Sequence, residues 1–217
     1  MVRCVCRGMG NHMKKMSNWL NVNSFNEKDE YYTPRILVEP ILKYISPKST
    51  VWCPFDTEHS EFVLCLKENG HTVIQSHIWT GQDFFNYEPE HYDCVVSNPP
   101  FTQKLDVLER LYRLGKPFAM ILGLPILNYQ EVGSFFLDKK LQLLIVDKKV
   151  SFDGKTSSFN NSYFCHKFLP NDIIFAHLRH NNSGANYTKS RMNQDVPKIA
   201  EARITEEVPN TLQKFMQ

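Results

Sequence analysis

The residue types best suited to chemistry in this chain are those of Asn98-Pro99-Pro100-Phe101, which follow the apolar run Asp93–Ser97. Two successive prolines fix φ and donate no N–H, so the corner is rigid and its carbonyls stay free to accept hydrogen bonds. An exocyclic aromatic amine is a poor nucleophile because its lone pair is delocalised into the ring. Two acceptors, the Asn98 side-chain oxygen and the Pro99 carbonyl, can hold both amine hydrogens and draw the nitrogen towards tetrahedral geometry. Phe101 offers a flat apolar face on which a flipped-out base can stack. Such chemistry is positional and electrostatic and needs no covalent nucleophile. A proline-rich Asx-type turn closing a strand would show the same four residues.

Other polar residues carry weaker signals. Asp83 in Gly81-Gln82-Asp83-Phe84-Phe85 reads equally as a ligand carboxylate or as a turn cap. Glu58 and His59 suit a solvated first turn, where negative charge at a helix N-terminus is favourable. Ser151–Phe164 mixes aromatics with amides (Phe152, Phe159, Asn160, Asn161, Tyr163) and includes Lys155, a composition fit for a base or a backbone, and equally for a polar hairpin connection around Gly154. Lys104, Arg110, Arg113 and Lys116 follow the Asn98 corner, with Lys139-Lys140 and Lys148-Lys149 beyond; they suit phosphate contact or a solvated face. Cys4-Val5-Cys6 with His12 lacks the paired ligand clusters of a zinc motif, so no metal is expected.

These residues need elements to position them. Pro34 opens a helix with Ile36, Leu37, Ile41, Leu42 and Ile45 as its stripe. Strands are expected at Thr50–Cys53, His71–Ser76, Tyr92–Ser97, Phe118–Leu122, Leu141–Val146 and Asp172–Leu178. Helices are expected near Glu58–Asn69, Gln103–Leu114 and Tyr129–Leu137. Alternating strands and helices imply a mainly parallel sheet with helices on both faces, and its ligands gather at the carboxyl edge. Residues 1–24 read as a basic flexible arm, 25–180 as one globular domain, and 181–217 as a polar tail.

Composition bounds the rest. Of 217 residues, 42% are hydrophobic and 22% charged, which suits one domain with a sizeable core. A net charge of +2 shows no bulk nucleic-acid footprint, though it averages over both faces. No apolar run reaches the roughly 18 residues of a membrane helix, and a cytoplasmic protein without membrane contact is expected. The six cysteines are scattered, as buried reduced thiols would be.

From about Tyr31 to Leu178 the chain resembles the N6-adenine methyltransferases that carry the Asn-Pro-Pro-Phe signature, and among them the short phage-associated branch. The resemblance rests on Ser97-Asn98-Pro99-Pro100-Phe101-Thr102-Gln103-Lys104 and on Val150-Ser151-Phe152-Asp153-Gly154-Lys155. It implies a Rossmann-like class I fold, α/β with a seven-stranded sheet whose last strand is antiparallel. It implies S-adenosyl-L-methionine as cofactor and DNA ahead of RNA as the nucleic-acid partner. By the same resemblance Tyr32-Thr33-Pro34 approaches the methionine end of the cofactor, Pro54-Phe55-Asp56 forms the loop after the first strand, and Asp83 and Phe84 contact the cofactor's adenine. Asn98, Pro99, Pro100 and Phe101 receive the target amine. On residue composition, outside that resemblance, Lys104, Phe152, Lys155 and Phe159 are the candidates to face the substrate.

Two departures stand out. Cys53–Ser60 contains no glycine where the family has a Gly-rich turn, leaving Asp56, Glu58 and Ser60 to bind through side chains. Ser76-His77 occupies the place of the acid that usually meets the ribose, so the His77 imidazole or the Ser76 hydroxyl takes that role or nothing does; a histidine there is more often a strand-end surface residue. No target-recognition domain is evident, so sequence choice falls to short loops, the arm or a protein partner. The alternative readings are an RNA adenine methyltransferase and a catalytically silent methyltransferase-like binding module.

Overall fold

The structure is a computed structural model and describes residues 33–152 and 158–178. Tyr32, Lys155, the arm 1–24 and the tail 181–217 lie outside the described residues, and of Phe101 and Phe159 only the backbone is described.

Strands β1 (Thr50–Cys53), β2 (Thr72–Gln75), β3 (Cys94–Ser97), β4 (Phe118–Gly123) and β5 (Gln142–Val146) follow one another in the chain, as the apolar runs predict. A small antiparallel pair, β6 (Val150–Ser151) with β7 (Ser158–Phe159), stands apart. Then come β8 (Asn161–His166) and β9 (Ile173–Ala176). The main sheet has seven strands in the order β2-β1-β3-β4-β8-β5-β9. It is the mainly parallel, Rossmann-like α/β sheet expected from the sequence.

One expectation is corrected. The antiparallel strand is β8, which runs against both β4 and β5, while the last strand β9 is parallel to β5. The cause is the short return after β8. Having run down to the sheet's amino edge, the chain turns within a few residues and can only run back up. Gln142 pins that turn, accepting from Phe168 N at 2.9 Å and Leu169 N at 3.0 Å and donating to Leu169 O at 2.7 Å.

Helix α1 (Arg35–Leu42) precedes β1, α2 (Glu61–Glu68) joins β1 to β2, α3 (Lys104–Leu114) joins β3 to β4, and the short α4 (Gln130–Phe135) follows β4. Ser60 caps α2 by accepting from Val63 N at 3.4 Å. Gly115 closes α3 at φ 70°, a conformation that suits glycine. From β1 the chain winds one way to β2, and from β3 the other way to β4. Right-handed crossovers therefore put α2 and α3 on opposite faces. Side-chain alternation agrees. Trp52, Val95, Phe118, Met120, Leu122 and Phe164 share a core with Val107, Leu108 and Leu111 of α3. On the other face Tyr163 donates to Leu37 O of α1 at 2.7 Å. Helix α1 is clamped to α2 by Arg35, which pairs with Glu68 and lies 3.5 Å from Glu61.

Candidate active site

The winding reverses between β1 and β3, and their carboxyl ends form the crevice where ligands of such sheets bind. Asn98-Pro99-Pro100 follows β3, Pro54-Phe55-Asp56 follows β1, and Ser76-His77 follows β2, the neighbour of β1.

Hydrogen bonds lace the three strand ends where a Gly-rich turn would otherwise pack. Ser76 N donates to Cys53 O at 3.0 Å, Asp56 N donates to Ser76 O at 3.3 Å, and Trp52 Nε1 donates to Ser76 Oγ at 2.9 Å. Ser97 Oγ donates to Asp56 Oδ2 at 2.5 Å, with both residues buried. A serine beside Asn98 is thus tied to a carboxylate in the loop after β1. The lacing holds this loop by side chains, so close packing here does not require backbone freedom.

Asn98 is half-buried, but its Oδ1 is fully buried and has no hydrogen-bond partner among the described residues. An unpaired buried acceptor costs about 1–3 kcal/mol, so such an atom in a native fold calls for a donor to be supplied. Pro99 beside it is buried, and Pro100 precedes the single turn that Phe101 opens. Neither proline has a backbone N–H to donate, so the hydrogen-bonding groups of the corner are mainly acceptors.

Phe55 and Phe84 meet with ring centroids 4.9 Å apart. Phe84 is enclosed, 2% exposed, with Trp52 at 5.5 Å and the Arg110 guanidinium at 5.2 Å from its ring. It backs the half-buried Phe55. Asp83 accepts from Phe85 N at 3.1 Å with one oxygen and from Asn86 Nδ2 at 3.1 Å with the other, an Asx turn. Arg110 holds that turn from α3, donating to Phe85 O and Tyr87 O at 3.1 Å each. The sequence offered Arg110 for phosphate contact; here the guanidinium is committed to these carbonyls and to Phe84.

His77 is buried and accepts from Trp79 N at Nδ1, 3.2 Å, so the neutral ring carries its proton on Nε2. Thr33 is buried and Pro34 precedes the first turn of α1. Ser60 Oγ serves its own helix, Phe152 is buried at 3% exposure, and Lys104 begins α3. The structure therefore gathers Asp56, Ser97 and Asn98, and joins Phe55 to the Asp83-Phe84 turn. Ser97 was missed in sequence, although its place at a strand end beside Asn98 was the available signal. Among the described residues no three His, Cys, Asp or Glu side chains cluster as metal ligands would, and no helix is long and apolar enough to cross a membrane.

No family model and no curated protein matches the chain. Among solved structures it is similar to the methyltransferase subunit of a type I restriction-modification system from Streptococcus thermophilus, at 12% identity and a TM-score of 0.47 over 76% of this chain and 52% of that one. The chain thus spans about half the length of that relative. It is also similar to a predicted O-methyltransferase from Agrobacterium tumefaciens, at 9% identity and a TM-score of 0.36 over 67% and 85% of the two chains. The fold class rests on the strand order described above.

Proposed function

We propose that this protein transfers a methyl group from S-adenosylmethionine to the N6 amine of a flipped-out adenine in DNA. The observation that carries this reading is the unpaired Asn98 Oδ1, buried in a proline-fixed corner at the reversal point of the sheet. S-adenosylmethionine, when bound, supplies an electrophilic methyl on a positively charged sulfur.

The residues present fit that group through side chains rather than through a glycine turn. Asp56 offers a buried carboxylate to the methionine ammonium, and Ser97 fixes its orientation. His77, buried at the end of β2, is assigned the place beside the ribose. Asp83, with one partner on each oxygen, keeps lone pairs for the cofactor's adenine amine. Phe55, backed by Phe84, supplies the apolar wall. Thr33-Pro34 is assigned to the methionine end of the cofactor.

Asn98 Oδ1 and the Pro99 carbonyl accept the two hydrogens of the target amine and turn its lone pair outward. Pro100 keeps the corner rigid; base stacking by Phe101 and substrate contact by Lys104, Phe152, Lys155 and Phe159 are carried by the sequence reading alone. The amine's proton leaves to solvent after transfer, so no strong base is required beforehand.

The test is transfer of labelled methyl to DNA, with S-adenosylhomocysteine binding measured by calorimetry alongside. Asn98→Ala is expected to abolish transfer and to leave cofactor binding intact; undiminished activity in that variant refutes the mechanism. The same assay on RNA of matching sequence separates the two polymers. A second reading, a silent module that binds nucleotide, draws on the glycine-free loop Cys53–Ser60. Homocysteine-cofactor binding without transfer to either polymer would favour it.

A further inference from the structure

Asn161 is the first residue of β8, opposite Gly123 at the end of β4. It is 2% exposed, yet neither its Oδ1 nor its Nδ2 has a hydrogen-bond partner among the described residues. A primary amide brings two donors and an acceptor, and burying all of them unpaired is among the costlier defects a fold can carry. Natural folds keep such groups where a ligand completes them or where function outweighs stability.

The position of this amide is informative. Because β8 runs antiparallel, its first residue stands at the same carboxyl edge as the last residues of β3 and β4. In register, Ser97 pairs with Met120, which pairs with Phe164, so Asn98 lies level with Tyr163 and Asn161 stands two residues nearer the rim. Strand spacing and rise place the two asparagine Cα atoms roughly 12 Å apart. That separation is about what two asparagine side chains need in order to hold one heterocyclic ring between them. Asn161 and Tyr163 share the face covered by α1, and the alternation of β3, carried one step past Ser97, brings Asn98 to the same face.

We infer that Asn161 is the second amide of this site, donating from Nδ2 to the ring nitrogen that flanks the target amine. The inference rests on the reading that adenine is the substrate. With both amine hydrogens taken by Asn98 and Pro99, the remaining feature along that edge of adenine is a bare ring acceptor, N1 or N7. An amide donor recognises that acceptor, just as paired asparagine contacts read adenine edges elsewhere. Asn98 thus works on the reacting group, and Asn161 chooses the heterocycle that carries it.

Two measurements test this. In the ligand-free protein, Asn161→Leu is expected to raise the melting midpoint by roughly 2–6 °C, because it removes an unpaired buried amide. A fall instead would show that the amide is satisfied structurally and would overturn the inference. In the second, methyl transfer is followed on DNA of one sequence made with adenine, 7-deazaadenine or 1-deazaadenine throughout. Asn161→Ala should lower kcat/KM on the adenine DNA about ten- to hundredfold. The wild type should lose a similar factor on one of the two deaza substrates, and there the variant should lose nothing further. Wild-type kcat/KM in Asn161→Ala, or an equal loss on all three substrates, overturns the assignment. Wild-type silence on adenine DNA overturns the adenine reading and this inference with it, whereas an active wild type isolates failure to Asn161.

Discussion

Removing the hydroxyl of Ser97 is the sharpest probe of how this site is held. Ser97→Ala deletes one oxygen from a residue that is fully buried and leaves the backbone of β3 unchanged. What is lost is a 2.5 Å donor to the Asp56 carboxylate, which is itself only 7% exposed. A hydrogen bond to a charged acceptor contributes about 1.5–3 kcal/mol, and solvent can barely reach Asp56 to replace it. For a domain of this size that corresponds to roughly 3–12 °C in the melting midpoint. Asp56→Asn should cost a comparable amount by weakening the same contact from the other side. The pair then requires a double-mutant cycle: if the bond links the two strand ends, Ser97→Ala/Asp56→Asn should fall short of the sum of the single losses by about 1–3 kcal/mol. Denaturant melts followed by circular dichroism give all four values. Additive losses, or a Ser97→Ala midpoint within a degree of wild type, would refute the idea that this bond fixes the loop after β1 against the Asn98 corner.

Two further outcomes are expected. Burial raises the thiols of Cys65 and Cys94 to about 12, and raises those of Cys53 and Cys165 well above the ordinary value; at pH 8 no more than about one in ten thousand of Cys65 or Cys94 is thiolate. With Cys4 and Cys6 replaced by serine, iodoacetamide should leave the native protein unlabelled and modify four cysteines in guanidinium; native labelling of Cys94 would contradict its burial. Asp147 accepts from Leu178 N at 2.9 Å and pairs with His177, and both contacts lower its carboxyl pKa below the ordinary value. Stability from this clasp is present above the unfolded pKa and lost as pH falls through the lowered folded one, so the gap between wild type and Asp147→Asn should close below about pH 4. A gap that is constant from pH 7 to pH 3 would show that the clasp does not titrate.

Much of the frame was legible because buried parallel strands are short apolar runs. Thr50–Cys53 was placed to the residue, and the other five expected strands within about two residues of their ends. Strand β8 escaped notice. It begins Asn161-Ser162, both buried polar residues, and so reads as a connection, although every residue from Asn161 to Cys165 is buried. Polar residues inside a two-sided strand break the composition signal while leaving the geometry intact. Along α3, Val107, Leu108 and Leu111 are buried while Leu105 and Leu114 are half-buried, because the helix packs along a row that includes Val107.

At the site, the place of the Asn98 corner was readable because it directly follows the apolar run Asp93–Ser97. The function of Phe84 was not, since a core ring and a ligand-stacking ring look identical in sequence. Nor was that of Arg110, whose charge suggests solvent while its planar head satisfies two carbonyls of a neighbouring turn. Ser97 became meaningful only once Asp56, 41 residues away, was seen beside it.

The insertion of β8 between β4 and β5 governs the order in which the molecule can be assembled during synthesis. A nascent chain released only as far as Val150 holds β4 and β5 with a strand-wide gap between them, each with unpaired edge groups on that side. Closure of that gap waits for residues up to His166, whose partners in β4 lie 38 to 48 residues back and those in β5 17 to 23. During that interval the Asn98 corner is already built while the wall bearing Asn161 is not. The slot between β4 and β5 is thus filled by the strand that runs against both of its neighbours.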